Sequence, residues 1–261
     1  MQPKTMTHKE YDALEGERSS KLKRMDKTPA HYLLESEETD SLIFGRAFHS
    51  YLLQPMSFPD EYIIKPDVDG RTKEGKETLK RFYELSASRT LISHDDYEKI
   101  KQRTLSINAH PTASEWLKEG IAEACVTWTD EETGIKCKSL NDWLMPSGRV
   151  VDIKTTKSGG ADEREFYKAV RWFYKYHVSA AMSLEGLLVN NTTPRYNSYS
   201  FIVVEKEAPY RCECFDLSDE LIEEGNVGFH KLLKLVKYSK DNNYWPAYTC
   251  AGSNLLIGNQ T

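Results

Sequence analysis

One stretch of the chain carries an obvious capacity for chemistry: Ser147-Gly-Arg-Val-Val-Asp-Ile-Lys-Thr-Thr156, preceded by Asp142. Arg149 to Lys154 has the β-branched run and alternation of a short strand. Alternation sends Asp152 and Lys154 to one face and Val151 and Ile153 to the other. The segment 135–144 also reads as extended, and the Pro146-Ser147-Gly148 turn folds it back as an antiparallel partner. That hairpin brings Asp142 toward Asp152, so two carboxylates and an ammonium converge at a sheet edge. Hard oxygen ligands of this kind suit Mg²⁺ or Mn²⁺, and a neighbouring lysine can orient a water. An Asp-x-Lys strand can also be a solvated face with a cross-strand ion pair. Here the strand is otherwise apolar, a second acid is placed to meet it, and Thr155, Thr156, Ser158, Gly159 and Gly160 follow. Such a small, hydroxyl-rich loop lets backbone approach a phosphate.

The elements that must position these residues are legible on either side. Thr7 with Glu10 is a capping-box pair for a first short helix, Ser19 or Ser20 caps a second, and Thr28-Pro29 opens a third. A stronger helix runs over 41–53, with Gly45 implying a close neighbour and His49 on the same flank. Residues 58–64 read as a strand and 66–76 as a charged loop. Helices are expected over 74–85, 95–108 and 112–119. Strands follow at 122–129, 135–144 and 150–154, then helices at 162–176 and 178–189. Strands at 198–205 and 211–215 precede a long final helix capped by Ser218. The sum is a mixed sheet of about five strands flanked by helices, an α/β sandwich of the restriction-endonuclease kind with an N-terminal helical elaboration. We read 1–261 as one domain: a helical part over 1–55, a core sheet over 120–216, a C-terminal helix over 217–246 and a frayed tail over 247–261.

Composition narrows the setting. The 261 residues are 39% hydrophobic and 29% charged, which is ordinary for a globular protein. No apolar run approaches the roughly 18 to 20 residues of a membrane span, and the polar N-terminus is no signal peptide. Five cysteines form no CxxC pair, so reduced thiols and a cytoplasmic location are expected, without an iron–sulfur centre. A net charge of −5 argues against indiscriminate polyanion binding. Yet Lys154, Lys157, Arg164, Lys168, Arg171 and Lys175 cluster just after the acidic motif, as a local DNA-facing groove would require. The Lys231, Lys234 and Lys237 stripe reads as a solvated helix face.

A resemblance extends this reading. Met6-Thr-His-Lys-Glu-Tyr11, Ser20-x-Leu22-Lys23, Thr28-Pro-Ala-His-Tyr32 and Phe44-Gly-Arg-Ala-Phe-His49-Ser-Tyr-Leu-Leu-Gln-Pro55 occur in that order. Lys138-x4-Trp143 with Asp142, Val151-Asp-Ile-Lys-Thr-Thr156 and Tyr176-His177 follow. Together they resemble the nuclease domain of RecE-type exonucleases (exonuclease VIII), within the PD-(D/E)XK superfamily. The resemblance implies a Mg²⁺-dependent exonuclease, with Mn²⁺ able to substitute, that degrades one strand of linear duplex DNA from its 5′ end. The 3′ single strands left behind serve recombination, with a single-strand annealing protein as a possible partner. It further implies that His49, Asp142, Asp152 and the Ile153 carbonyl ligate metal, that Lys154 positions the attacking water, and that Glu123 stands near the site. Lys157, Arg164, Lys168, Arg171 and His177 are the DNA-contacting candidates, and the working form is a homo-oligomeric ring around the DNA. Met1 just before the signature is expected of a self-standing protein of a phage or prophage.

Three positions depart from the pattern. The family's glutamine and tyrosine after the lysine fall at Ser179 and Ser183, and its glutamate before Pro55 is Gln54. Ser179 and Ser183 motivate a rival reading, a catalytically weak DNA-end-binding recombination module, and a structure-selective endonuclease is a third reading.

Overall fold

A computed structural model describes residues 2–35, 38–86 and 89–248. The expected tail over 247–261 lies largely outside the described residues. The N-terminal part contains a two-residue strand Lys4–Thr5 (β1) and the short helices His8–Ala13 (α1), Ser19–Leu22 (α2) and Pro29–Tyr32 (α3), with a 3-10 turn over Lys23–Asp26. Thr7 closes the expected capping box with Glu10 at the start of α1. Asp40–Leu53 (α4), Phe58–Glu61 (α5), Tyr62–Ile64 (β2), Lys73–Ser86 (α6), Thr90–Ile92 (β3), His94–Ala109 (α7) and Pro111–Trp116 (α8) lead into the sheet. Its main strands are Ile121–Thr129 (β4), Lys136–Leu144 (β5), Arg149–Thr156 (β6), Ser198–Glu205 (β7) and Cys212–Asp216 (β8). Between β6 and β7 lie Glu163–Lys168 (α9) and Tyr176–Val189 (α10), and Asp219–Asp241 (α11) follows β8.

The sheet has six strands in the order β1-β4-β5-β6-β7-β8. β6 and β7 are parallel and the other neighbours antiparallel. Alternation along the central strands feeds two separate cores. Val150, Tyr199, Phe201 and Val203 point into the one shared with α10 and α11. Val151, Ile153, Ile202 and Val204 point into the other, with Phe48 of α4 and Ile100 and Ile107 of α7. A strand buried on both faces needs a near-continuous apolar run, and Ser198–Glu205 supplies one. On the first face α10 and α11 approach closely at Gly225, where a Cβ would strike the His177 backbone carbonyl. No helix among the described residues is long and apolar enough to cross a membrane.

Four expectations need correction. Residues 58–61 are helical because Pro59 sits in the first turn of a helix, which leaves only Tyr62–Ile64 as strand. The helix expected over 162–176 breaks: α9 ends at Lys168, a π-turn spans Ala169–Phe173, and Lys175 adopts φ +50° before α10 begins. Gly45 has open space where a Cβ would go, so it marks no close contact. β1, pairing Lys4 and Thr5 with Cys125 and Ala124 of β4, makes the sheet six-stranded where about five strands were expected.

A candidate metal-dependent active site

The expected hairpin forms, but only at its closed end. β5 and β6 pair at Leu144 with Val150 and at Trp143 with Val151, then part. In the opening, the Asp142 carboxylate accepts the Ile153 backbone N–H at 2.7 Å. A side-chain oxygen thereby replaces a strand acceptor, and Asp142 is fixed next to the Asp152 position.

Glu123 joins them through an unusual backbone. It adopts φ +46°, the left-handed region that non-glycine residues rarely occupy. The consequence is visible in the packing: Ala122 faces one core and Ala124 the other, so the strand reverses its faces at Glu123. The Glu123 side chain is 2% exposed and neither carboxylate oxygen has a hydrogen-bond partner. From α4, His49 brings Nδ1 to 3.7 Å from Glu123 and 3.6 Å from Asp142. His8 of α1 stands 3.9 Å from the other Glu123 oxygen. His49, Glu123 and Asp142 each offer a ligand atom within 4.8 Å of the others.

Asp152 and Lys154 share a face, as alternation requires, and form an ion pair. The Tyr199 hydroxyl, from β7, also bonds the Asp152 carboxylate and meets Ser183. Ser183 in turn lies 2.7 Å from Ser139. Asp152 is therefore held from behind by Tyr199 and in front by Lys154, and Glu123 rather than Asp152 completes the tightest donor set. Burial pushes the Asp152 carboxyl up; Lys154 pulls it down, and the nearby Asp142 charge adds to the rise. Burial would raise Asp142 too, but His49, Lys154 and the Ile153 N–H hold it at about 2. Burial would lower His49, yet Asp142 and Glu123 outweigh it and raise the imidazole to about 10. Desolvation likewise works against the Lys154 ammonium, and Asp152 and Asp142 more than offset it.

The donor set fits a divalent cation. Three carboxylates and an imidazole converge, two buried Glu123 oxygens lack partners, and like charges press on Asp152. His49, Glu123 and Asp142 are the residues that would hold it, with Asp152 adjacent.

The matching family model covers residues 18–258 and is described as a PDDEXK-like domain of unknown function, DUF3799. The chain belongs to this PDDEXK-like family. A solved structure from Eubacterium rectale, described as a "putative exonuclease", superimposes with a TM-score of 0.60. It is 15% identical, and the match covers 91% of this chain and 88% of that one. At that identity the likeness concerns the fold. No curated protein matches the sequence.

The other residues of this PDDEXK-like chain singled out from sequence are placed unevenly. Lys157 and Arg164 are exposed and lack an acidic partner within 4.0 Å among the described residues. Lys168 pairs with Glu165 at 2.6 Å, Arg171 with Glu224 at 3.1 Å and Lys175 with Asp26 at 2.7 Å. The break at the π-turn removes the continuous basic helix face expected of Arg164, Lys168, Arg171 and Lys175. His177 is only 5% exposed and its Nδ1 meets the Val170 carbonyl at 2.7 Å, so it packs in the core instead of facing DNA. The Gly159 N–H is already donated to Glu205 at 2.6 Å, so this part of the loop offers no free phosphate cradle.

Sequence reasoning assigned no role to His8, Lys23 or Tyr199. His8 and Lys23 stood inside quoted motifs, and Tyr199 read as one more strand aromatic.

Proposed function

We propose that this protein is a divalent-metal-dependent nuclease that hydrolyses the phosphodiester bonds of DNA. The observation that carries the reading is the convergence of His49, Glu123 and Asp142, with Asp152 and Lys154 beside them. A divalent cation at such a site neutralises developing charge on the phosphate and lowers the pKa of an attacking water. Asp142 stays ionised across the physiological range and is aimed by the Ile153 N–H. His49 and Glu123 supply nitrogen and oxygen donors from two further elements, so the donor geometry is set by the packing of α4 on the sheet. Lys154 keeps its proton and offers an ammonium to orient the water and steady the non-bridging oxygens. Tyr199 keeps Asp152 turned toward Lys154.

The finer reading rests on the RecE-type motifs. We infer exonuclease action on one strand of linear duplex DNA, 5′ to 3′, with Mg²⁺ as cofactor and Mn²⁺ as substitute. The products are 3′ single strands for recombination, handed to an annealing protein. The Ile153 carbonyl remains a proposed further ligand, and Lys157 and Arg164 the proposed exposed DNA contacts. A binding module without catalysis is the second reading, favoured by serines at positions 179 and 183.

One assay separates these readings. Linear, nicked and covalently closed duplex DNA is incubated with Mg²⁺ or with EDTA, and released nucleotides are counted. The proposal expects release from linear DNA only with Mg²⁺, while closed circles survive. Cutting of closed circles would make the protein an endonuclease, and shifted but intact linear DNA would make it a binding module.

A further inference from the structure

Lys23 reaches the site from the 3-10 turn after α2, far from the strands that carry the acids. Its ammonium donates to the Tyr174 carbonyl at 2.8 Å and to the Ser179 hydroxyl at 2.9 Å. Both partners are neutral. Asp26, the nearest residue with opposite charge on the same turn, is bonded to Lys175 at 2.7 Å. A second ammonium lies close by: Lys23 and Lys154 both stand over the Tyr176 ring, at 5.7 and 5.1 Å from its centroid. Burial and the Lys154 charge hold Lys23 down at about 8.

Two half-buried cations facing one aromatic ring repel each other, and the ring's π-face offsets only a little of that cost. Lys154 has Asp152 as counter-ion, whereas Lys23 has only neutral oxygens in hydrogen-bond contact. An incoming anion resolves the imbalance. Asp152 and Asp26 attract the Lys23 ammonium without touching it, whereas a nucleic-acid strand brings a phosphate with every nucleotide and can reach it directly. Once one phosphate lies at Lys154, the next along the strand needs a counter-charge a short way off. Ser179 adds a hydroxyl that can donate to the same phosphate once the ammonium turns toward it.

We propose that Lys23 and Ser179 form a second phosphate subsite, which holds the DNA phosphate adjoining the one at Lys154. The proposal rests on the nuclease reading and deepens it. It also gives position 179 a use: the serine leaves room for a lysine to enter from the N-terminal part.

The experiment measures binding of end-labelled linear duplex in EDTA across a salt series, for wild type, Lys23→Met, Lys23→Arg and Ser179→Ala. Lys23→Met should weaken binding roughly tenfold or more. It should also flatten the slope of log K against log salt by about 0.7 to 0.9, the signature of one lost phosphate contact. Lys23→Arg should restore the slope, and Mn²⁺ affinity should stay within about twofold in all variants. Ser179→Ala should weaken binding with the slope unchanged. Lys23→Met should melt at or above the wild-type temperature, because it removes a buried charge. An unaltered slope in Lys23→Met overturns the subsite, and so does a Lys23→Met protein that melts lower or fails to fold. A wild type that binds no DNA end overturns the nuclease reading itself, and the subsite with it.

Discussion

His49 joins acid–base chemistry to metal binding through one imidazole. Its folded pKa is raised from 6.5 to about 10, since Asp142 and Glu123 overcome the desolvation that would lower it. The sign follows directly. In the metal-free protein the charged ring contributes stability that is full below about pH 6.5 and lost as pH rises through about 10. A cation needs the neutral ring, so binding must expel that proton. Asp142, held at about 2, stays ionised over this range and adds no slope. Mn²⁺ affinity should therefore climb about tenfold per pH unit between pH 7 and pH 9, one proton leaving per metal bound. Calorimetric titration at three pH values checks this, and His49→Asn should flatten the dependence. An affinity independent of pH in the wild type would show that His49 is no ligand.

The strand β4 carries the site's most unusual backbone. Glu123 sits at φ +46° within a strand, and only there do the strand's faces exchange. Left-handed geometry costs a side-chain-bearing residue on the order of 1–3 kcal/mol, and glycine much less. Glu123→Gly should therefore be more stable than Glu123→Ala by about 1 kcal/mol in chelated protein, the reverse of the usual order within strands. Denaturant melts of the two variants decide it, and the usual order would contradict a strained Glu123. The same element shows where sequence reading stops. Asp152, Lys154 and the hairpin turn follow from period-two alternation and turn chemistry, so that corner of the site was legible. Alternation cannot reveal a single residue at positive φ, so Glu123 had only the family pattern to mark it. Tyr199 and Lys23 were hidden for another reason: their contacts cross from β7 to Asp152 and from the α2 turn to Ser179, and no local pattern records such distances. The π-turn also escaped, because the apolar spacing over 162–176 fits an unbroken helix.

At the scale of the molecule, three regions must fold together before the site exists. α1 and α4 bring His8 and His49, the turn after α2 brings Lys23, and the sheet brings the acids. Buried Lys138 ties the first of these down by donating to the carbonyls of Tyr11 and Leu14 at 2.8 and 2.7 Å. Net charge of −5, with Lys168, Arg171 and Lys175 already paired, leaves one subunit little long-range pull on DNA. Enclosure by a homo-oligomeric ring would retain the strand without such pull. Light scattering should then give a mass several times 30.1 kDa, and a monomer that digests processively past a DNA trap would refute the ring. The most direct test of the whole account lies at Asp142, which touches both His49 and the β6 backbone. Nucleotide release from linear duplex in Mg²⁺ should be plain in the wild type and fall by about a hundredfold or more in Asp142→Asn. The Asn variant should keep the wild-type fold, checked by circular dichroism, so that a loss of rate reports on the site. Equal rates for the two proteins would contradict the assignment of this site.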